Sequence, residues 1–145
     1  MANMTDVCEE VVKSAPGALS FAVIDLQSGQ LLACVHTVPY YTQRYLEAMA
    51  NSAVDMFRGS GVTSVESLAA EIRGIEPERM VREVQMATTD SYQFMILSPQ
   101  FPDILLMLTD GFFERARPED RQQFGLERLA DIIKANAHLA PAELI

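Results

Sequence analysis

Thr42–Arg58, TQRYLEAMANSAVDMFR, is the stretch that decides how this chain folds. At about 100° per residue, Tyr45, Leu46, Met49, Ala50, Ala53, Val54, Met56 and Phe57 cover roughly half of a helical wheel. Arg44, Glu47, Asn51, Asp55 and Arg58 share a narrower polar stripe. Thr42 is placed to cap the first turn. A helix lying on one sheet needs an apolar face of only about 100°. The surplus asks for a second apolar neighbour, and the small Ala48, Ala50, Ser52 and Ala53 would let it come close. One side of the helix is therefore expected on this chain's own sheet and the other on a second copy of the chain. The competing reading roofs the helix with another part of the same chain.

Upstream, Thr5–Ser14 reads as a short helix capped by Thr5, with Val7, Cys8, Val11 and Val12 on one face, and Pro16-Gly17 ends it. Ala18–Leu26 is apolar on both faces, the pattern of a strand covered on both sides. Gln27-Ser28-Gly29-Gln30 is a hairpin turn, and Leu31–Thr37 is the returning strand. Downstream, Gly59-Ser60-Gly61 reads as a helix stop. Ser64–Arg73 reads as a shorter helix capped by Ser64, with an apolar stripe of Val65, Leu68, Ala69 and Ile72. Arg79–Thr89 alternates, with Val84, Met86 and Thr88 on one face, which predicts an edge strand. Ser91–Ser98, after an Asp90-Ser91 turn, and Ile104–Thr109 are apolar strands, and Asp110–Arg117 is a connector. A last helix from Pro118 to about Ala137 carries Phe124, Leu129, Ile132 and Ile133, and 139–145 reads as a loose tail. Hairpin connections make the sheet antiparallel. The expected fold is an α/β (α+β) chain: one domain, a three-layer α/β/α sandwich around a five-stranded antiparallel sheet.

Composition narrows the function. The formal net charge is −9, and Lys and Arg form no run. That opposes nucleic-acid binding, which needs basic stripes. No apolar stretch is long enough for a membrane span. No signal peptide is read at MANMTDVCEE, so cytoplasm with reduced thiols is the expected location. The eight methionines suit irregular core gaps and adaptable contact surfaces.

The residues propose no catalytic centre and no cofactor. Cys8 and Cys34 match no metal spacing, and Glu9 and Glu10 oppose a reactive Cys8 thiolate. His36 and His138 are too few for a metal site. Asp25, Asp90, Asp103 and Asp110 fall at strand ends or turns, where aspartate is a turn former. Gly59-Ser60-Gly61 follows a helix, the wrong end for anion binding. Tyr40 and Tyr41 are the aromatic candidates for a partner surface, with a hydrophobic staple for the helix start as the other reading.

Pro16-Gly17-Ala18 and FAVIDLQSGQLLA at Phe21–Ala33, together with the later β-β-β-α order, resemble the roadblock/LC7 superfamily. The resemblance covers nearly the whole chain. It implies the middle helix on one sheet face and the first and last helices on the other. It also implies homodimers joined through the middle helix and the third strand. Here the expected contact residues are Tyr45, Met49, Ser52, Ala53 and Met56 on the helix, with Val84 and Met86 on the strand. Members are non-enzymatic scaffolds or regulators, often of small Ras-like GTPases, and bacterial members pair with polarity and motility GTPases. The Ser64–Gly74 piece is longer than the usual link between helix and third strand. Profilin-like or GAF/PAS-like ligand sensors share similar sandwiches and are the alternative, with a small molecule between sheet and middle helix.

Overall fold

The computed structural model describes residues 3–15, 17–89 and 91–111. The last helix and the tail expected from the sequence, with His138, Pro16 and Asp90, lie outside the described residues.

Among the described residues, five strands form one antiparallel sheet: β1 (Ala18–Asp25), β2 (Leu31–His36), β3 (Glu83–Ala87), β4 (Ser91–Leu97) and β5 (Ile104–Gly111), in the order β2-β1-β5-β4-β3. The register is fixed by paired apolar residues, Ala22 opposite Met107 on β1–β5 and Met95 opposite Met107 on β4–β5. Successive side chains point to opposite faces, so each central strand feeds two cores. Phe21, Phe94 and Leu108 pack with Cys8, Val11 and Val12 of α1 (Met4–Ser14) on one face. Ala22, Met95, Leu105 and Met107 pack with Ala50, Ala53 and Phe57 of α2 (Gln43–Arg58) on the other. This is the expected α/β/α sandwich.

Local chemistry sets the element ends. Asn3, not Thr5, caps α1, because its side chain accepts from the Asp6 amide while the Asp6 carboxylate accepts from Asn3 N–H, a reciprocal box. Thr42 caps α2 as expected, accepting from Tyr45 N–H at 3.2 Å. In the β1–β2 hairpin Asp25 accepts from the Gln27 amide and the Ser28 hydroxyl, and Gly29 takes φ +75°. β5 runs on through Asp110 and Gly111, which the sequence reading gave to a connector; Asp110 pairs with Ala18 and Tyr92 and is buried.

The largest departure is at α3 (Ser60–Arg73). The expected stop at Gly59-Ser60-Gly61 is a single-residue corner. Gly59 ends α2 and also begins α3, so Ser64 is an interior residue whose hydroxyl bonds back to the Ser60 carbonyl. A Cβ on Gly59 would sit 2.4 Å from the Asp55 carbonyl oxygen, which is why glycine holds this corner. Gly74, at φ +68°, closes α3, with Ile75 N–H donating to the Ala70 carbonyl at 3.0 Å. Residues 76–82 then run without regular structure, so β3 begins at Glu83 rather than Arg79.

Candidate functional site: the outer flank of α2 and the edge strand β3

Four α2 residues, Leu46, Ala50, Ala53 and Phe57, are buried. They form one stripe at helical spacing, and the sheet takes it up. The next stripe around the helix is Tyr45, Met49, Ser52 and Met56. Tyr45 and Ser52 are exposed, and Met49 and Met56 are half-buried. The helix is held in this rotation at its C-terminal end. Arg58 donates to the Asp103 carboxylate at 3.2 Å and to the Pro102 carbonyl at 3.0 Å, tying α2 to the β4–β5 loop.

β3 is an edge of the sheet, paired with β4 alone among the described residues. Val84 and Met86 are half-buried against the core beneath α2, the same core on which Met49 and Met56 pack. The structure thus brings six of the expected contact residues to one side of the sheet: Tyr45, Met49, Ser52, Met56, Val84 and Met86. It removes the seventh. Ala53 is 1% exposed and faces Phe57, Met95 and Met107 of its own core, so it cannot reach a second copy. The wheel groups Ala53 with its apolar neighbours but does not say which part of that wide face the sheet claims.

The tyrosine pair is also split. Tyr40 is 63% exposed, whereas Tyr41 is buried with Val38 and Leu46. Tyr41 precedes the cap and Leu46 lies four residues into the helix, which is the staple arrangement. Tyr41 stacks on Tyr45 at 4.8 Å and meets Tyr40 edge-on at 5.3 Å, so the staple also positions the exposed tyrosines.

The other chemical candidates have structural partners. Asp25 serves its turn, and Asp103 accepts from Arg58 and from Gln27 Nε2. His36 Nδ1 accepts from Val38 N–H at 3.3 Å. Burial, followed by the charge of Cys34, pushes the Cys8 thiol up to about 12, and burial pushes Cys34 up to about 11. Among the described residues no group of three or more His, Cys, Asp and Glu is arranged to hold a metal, and no helix is long and apolar enough to cross a membrane.

A site that the sequence reading missed lies on α3. Its inward side is Glu66 and Ala70, which are buried, whereas Val65, Leu68 and Ile72 of the apolar stripe are 58%, 59% and 86% exposed. The cause is Glu66, whose carboxylate accepts from Met80 N–H at 2.7 Å and from Arg79 Nη1 at 3.3 Å. This clasp holds segment 76–82 against α3 and turns the aliphatic side outward. Ile75 and Met80 are exposed beside it.

The chain has α1 and α2 on opposite faces of this sheet, and its fold matches that of solved roadblock/LC7 structures. A roadblock/LC7 domain from Streptomyces avermitilis is 16% identical, covering 94% of this chain and 96% of its own, with a TM-score of 0.59. An MglB solved in a tetrameric arrangement is 18% identical over 90% of this chain and 87% of its own, with a TM-score of 0.57. The gliding protein MglB of Thermus thermophilus is 20% identical over 90% of this chain and 87% of its own, with a TM-score of 0.53. No protein-family model and no curated protein matches the sequence.

Proposed function

We propose that this chain is a non-catalytic protein-interaction module of the cytoplasm. It works as a homodimer joined through the outer flank of α2 and the edge of β3, and it regulates or scaffolds a small Ras-like GTPase. The observation that carries the dimer is the position of Met49, Met56, Val84 and Met86. They form a partly exposed rim around one core, running from the helix to a strand that is an edge of the sheet among the described residues. A second copy would continue that core and pair the edge. Methionine and tyrosine are the residue types that interface centres favour. The GTPase partner is proposed from the resemblance and the fold together. Tyr40, the exposed member of the Tyr40–Tyr41 pair, is the residue we assign to partner contact.

The ligand-sensor reading is less well supported. The space between sheet and α2 is taken by Met95, Met107, Ala53 and Phe57, each 0–2% exposed. An open hollow of about 400 Å³ does lie outside that core, between the hairpin and α2, lined by Gln30, Gln43, Glu47 and Asn51 among others.

Light scattering on the purified chain tests the dimer: twice the monomer mass is expected, falling to one with Met56→Arg. A monomer at every concentration would refute it. The GTPase is tested by titrating the chain into small Ras-like GTPases of the same genome, loaded with GDP or a non-hydrolysable GTP analogue. Binding lost with Tyr40→Ala is the expected result, and no binding to either state refutes that part.

A further inference from the structure

The hollow between the β1–β2 hairpin and α2 holds about 400 Å³, within the roughly 300–1,000 Å³ of small-molecule sites. Its floor is Gly29 and the buried Ala50, and its walls are Gln30, Gln43, Glu47 and Asn51. Three of the walls come from one stripe of α2, at steps of four residues. That stripe lies about 100° around the helix from the buried one, on the side away from Tyr45, Met49, Ser52 and Met56. A dimer through that other flank leaves the hollow open. Gly29 also keeps it open. The turn holds φ +75° there, which asparagine adopts as well, but a Cβ would already come within 3.8 Å of Asn51 Oδ1. A longer side chain would fill the space.

We propose that this hollow binds a small aliphatic cation carrying several N–H donors, of the guanidinium or polyamine kind. Its lining offers acceptors and one negative charge. Glu47 is the charged group, and among the described residues no Lys or Arg forms an ion pair with it. Gln43 Nε2 donates to Glu47 Oε1 at 3.2 Å. That bond engages the donor end of the amide and leaves its oxygen as an acceptor, beside the second carboxylate oxygen. Gln30 is tied through its backbone. Its N–H donates to Ser28 Oγ at 3.2 Å and its carbonyl accepts from Asp25 N–H at 2.9 Å, so its side chain is the part left for a ligand. An anion would meet the Glu47 carboxylate, and an apolar ligand would cover four polar side chains without pairing them. A cation with several N–H groups answers Glu47 with a charge-assisted bond and the amide oxygens with neutral ones. The formal net charge of −9 favours its approach. The site lies outside the core between sheet and α2, and it rests on neither the dimer nor the GTPase.

Calorimetric titration of the full chain with agmatine and with spermidine, at low salt, tests the proposal. Saturable binding of one cation per chain is expected, with none of the neutral polyol sorbitol. Glu47→Gln keeps the shape of the side chain and removes its charge, and should weaken binding at least about tenfold. Gly29→Asn keeps the turn, fills the hollow and should abolish binding. Thermal melts of both variants should match the wild type, which separates loss of the site from loss of the fold. Met56→Arg, on the other flank of α2, should bind the cation as the wild type does. Three results overturn the proposal: no saturable binding of either cation at millimolar concentration, an affinity that Glu47→Gln leaves unchanged, or sorbitol bound as well as the cations. An end-capped arginine peptide that binds in a Glu47-dependent way where neither free cation does also overturns it, in favour of a partner protein's side chain.

Discussion

Ser52 and Ala53 are adjacent in sequence and opposite in consequence, and arginine at each separates fold from association. Ala53 is 1% exposed, against Ala50, Phe57, Met95, Leu105 and Met107. An arginine there overpacks the layer, which costs about 1–3 kcal/mol. It also carries a charge into a place with no partner, and an uncompensated buried charge costs about 3–5 kcal/mol. The sum, about 4 kcal/mol or more, is a large part of the roughly 5–15 kcal/mol that holds a domain together. With a urea m-value of about 2 kcal/mol/M, the midpoint of Ala53→Arg should fall by about 2 M, read by circular dichroism. Ser52 is exposed, so Ser52→Arg should stay within about 0.5 kcal/mol of the wild type while its mass halves in light scattering. The reasoning is refuted if Ala53→Arg unfolds at the wild-type urea concentration, or if Ser52→Arg loses comparable stability.

Further tests bear on other parts of the fold. Glu66→Ala leaves Met80 N–H without its acceptor and should cost about 2–3 kcal/mol; faster hydrogen exchange confined to 76–82 and α3 is the expected signature. Gly59→Ala should destabilise by more than 1 kcal/mol or so, since its Cβ meets the Asp55 carbonyl, whereas Gly61→Ala, helical and unobstructed, should stabilise by about 0.5–1 kcal/mol. Thermal melts of the two glycine variants should move in opposite directions. Both thiols titrate above their ordinary value of 9.0, so native alkylation at pH 8 should be slow at Cys34 and slower at Cys8, and urea should release both. The same shifts set the sign of an alkaline effect. Above pH 9 the unfolded chain loses thiol protons that the folded chain keeps, so stability falls as pH rises toward 11 and 12. A Cys8→Ala variant should show a shallower fall.

Most of the architecture was legible because each central strand and α2 carry a pattern of the right period. The alternation at Val84 and Met86 marked an edge strand, and Thr42 marked a helix start. What escaped depended on partners distant in sequence. The α3 stripe was visible as a stripe, but its direction is decided by Glu66 finding Met80, which no periodicity reports. Gly59 and Gly61 looked alike in sequence, yet one is a corner and the other an ordinary helical residue. Ala53 was expected at the dimer contact because a wheel shows an apolar excess and not which members the sheet takes, whereas Tyr41 took the staple place that the sequence offered as its other reading. Asp110 looked like the start of a loop because a buried carboxylate in a strand runs against its usual setting.

The strand order has a consequence for how the chain is made. β5 sits in the middle of the sheet, between β1 and β4, yet it is the last of the five strands to leave the ribosome. Until then β1 and β2 exist only as a hairpin with one greasy border open, and β3 and β4 as another. Some eighty residues of chain separate Ala22 from the Met107 that completes its row, a span that makes closure slow. A nascent chain halted just before Ile104 would hold two sticky halves and nothing to join them, which is where a holding chaperone should be found bound.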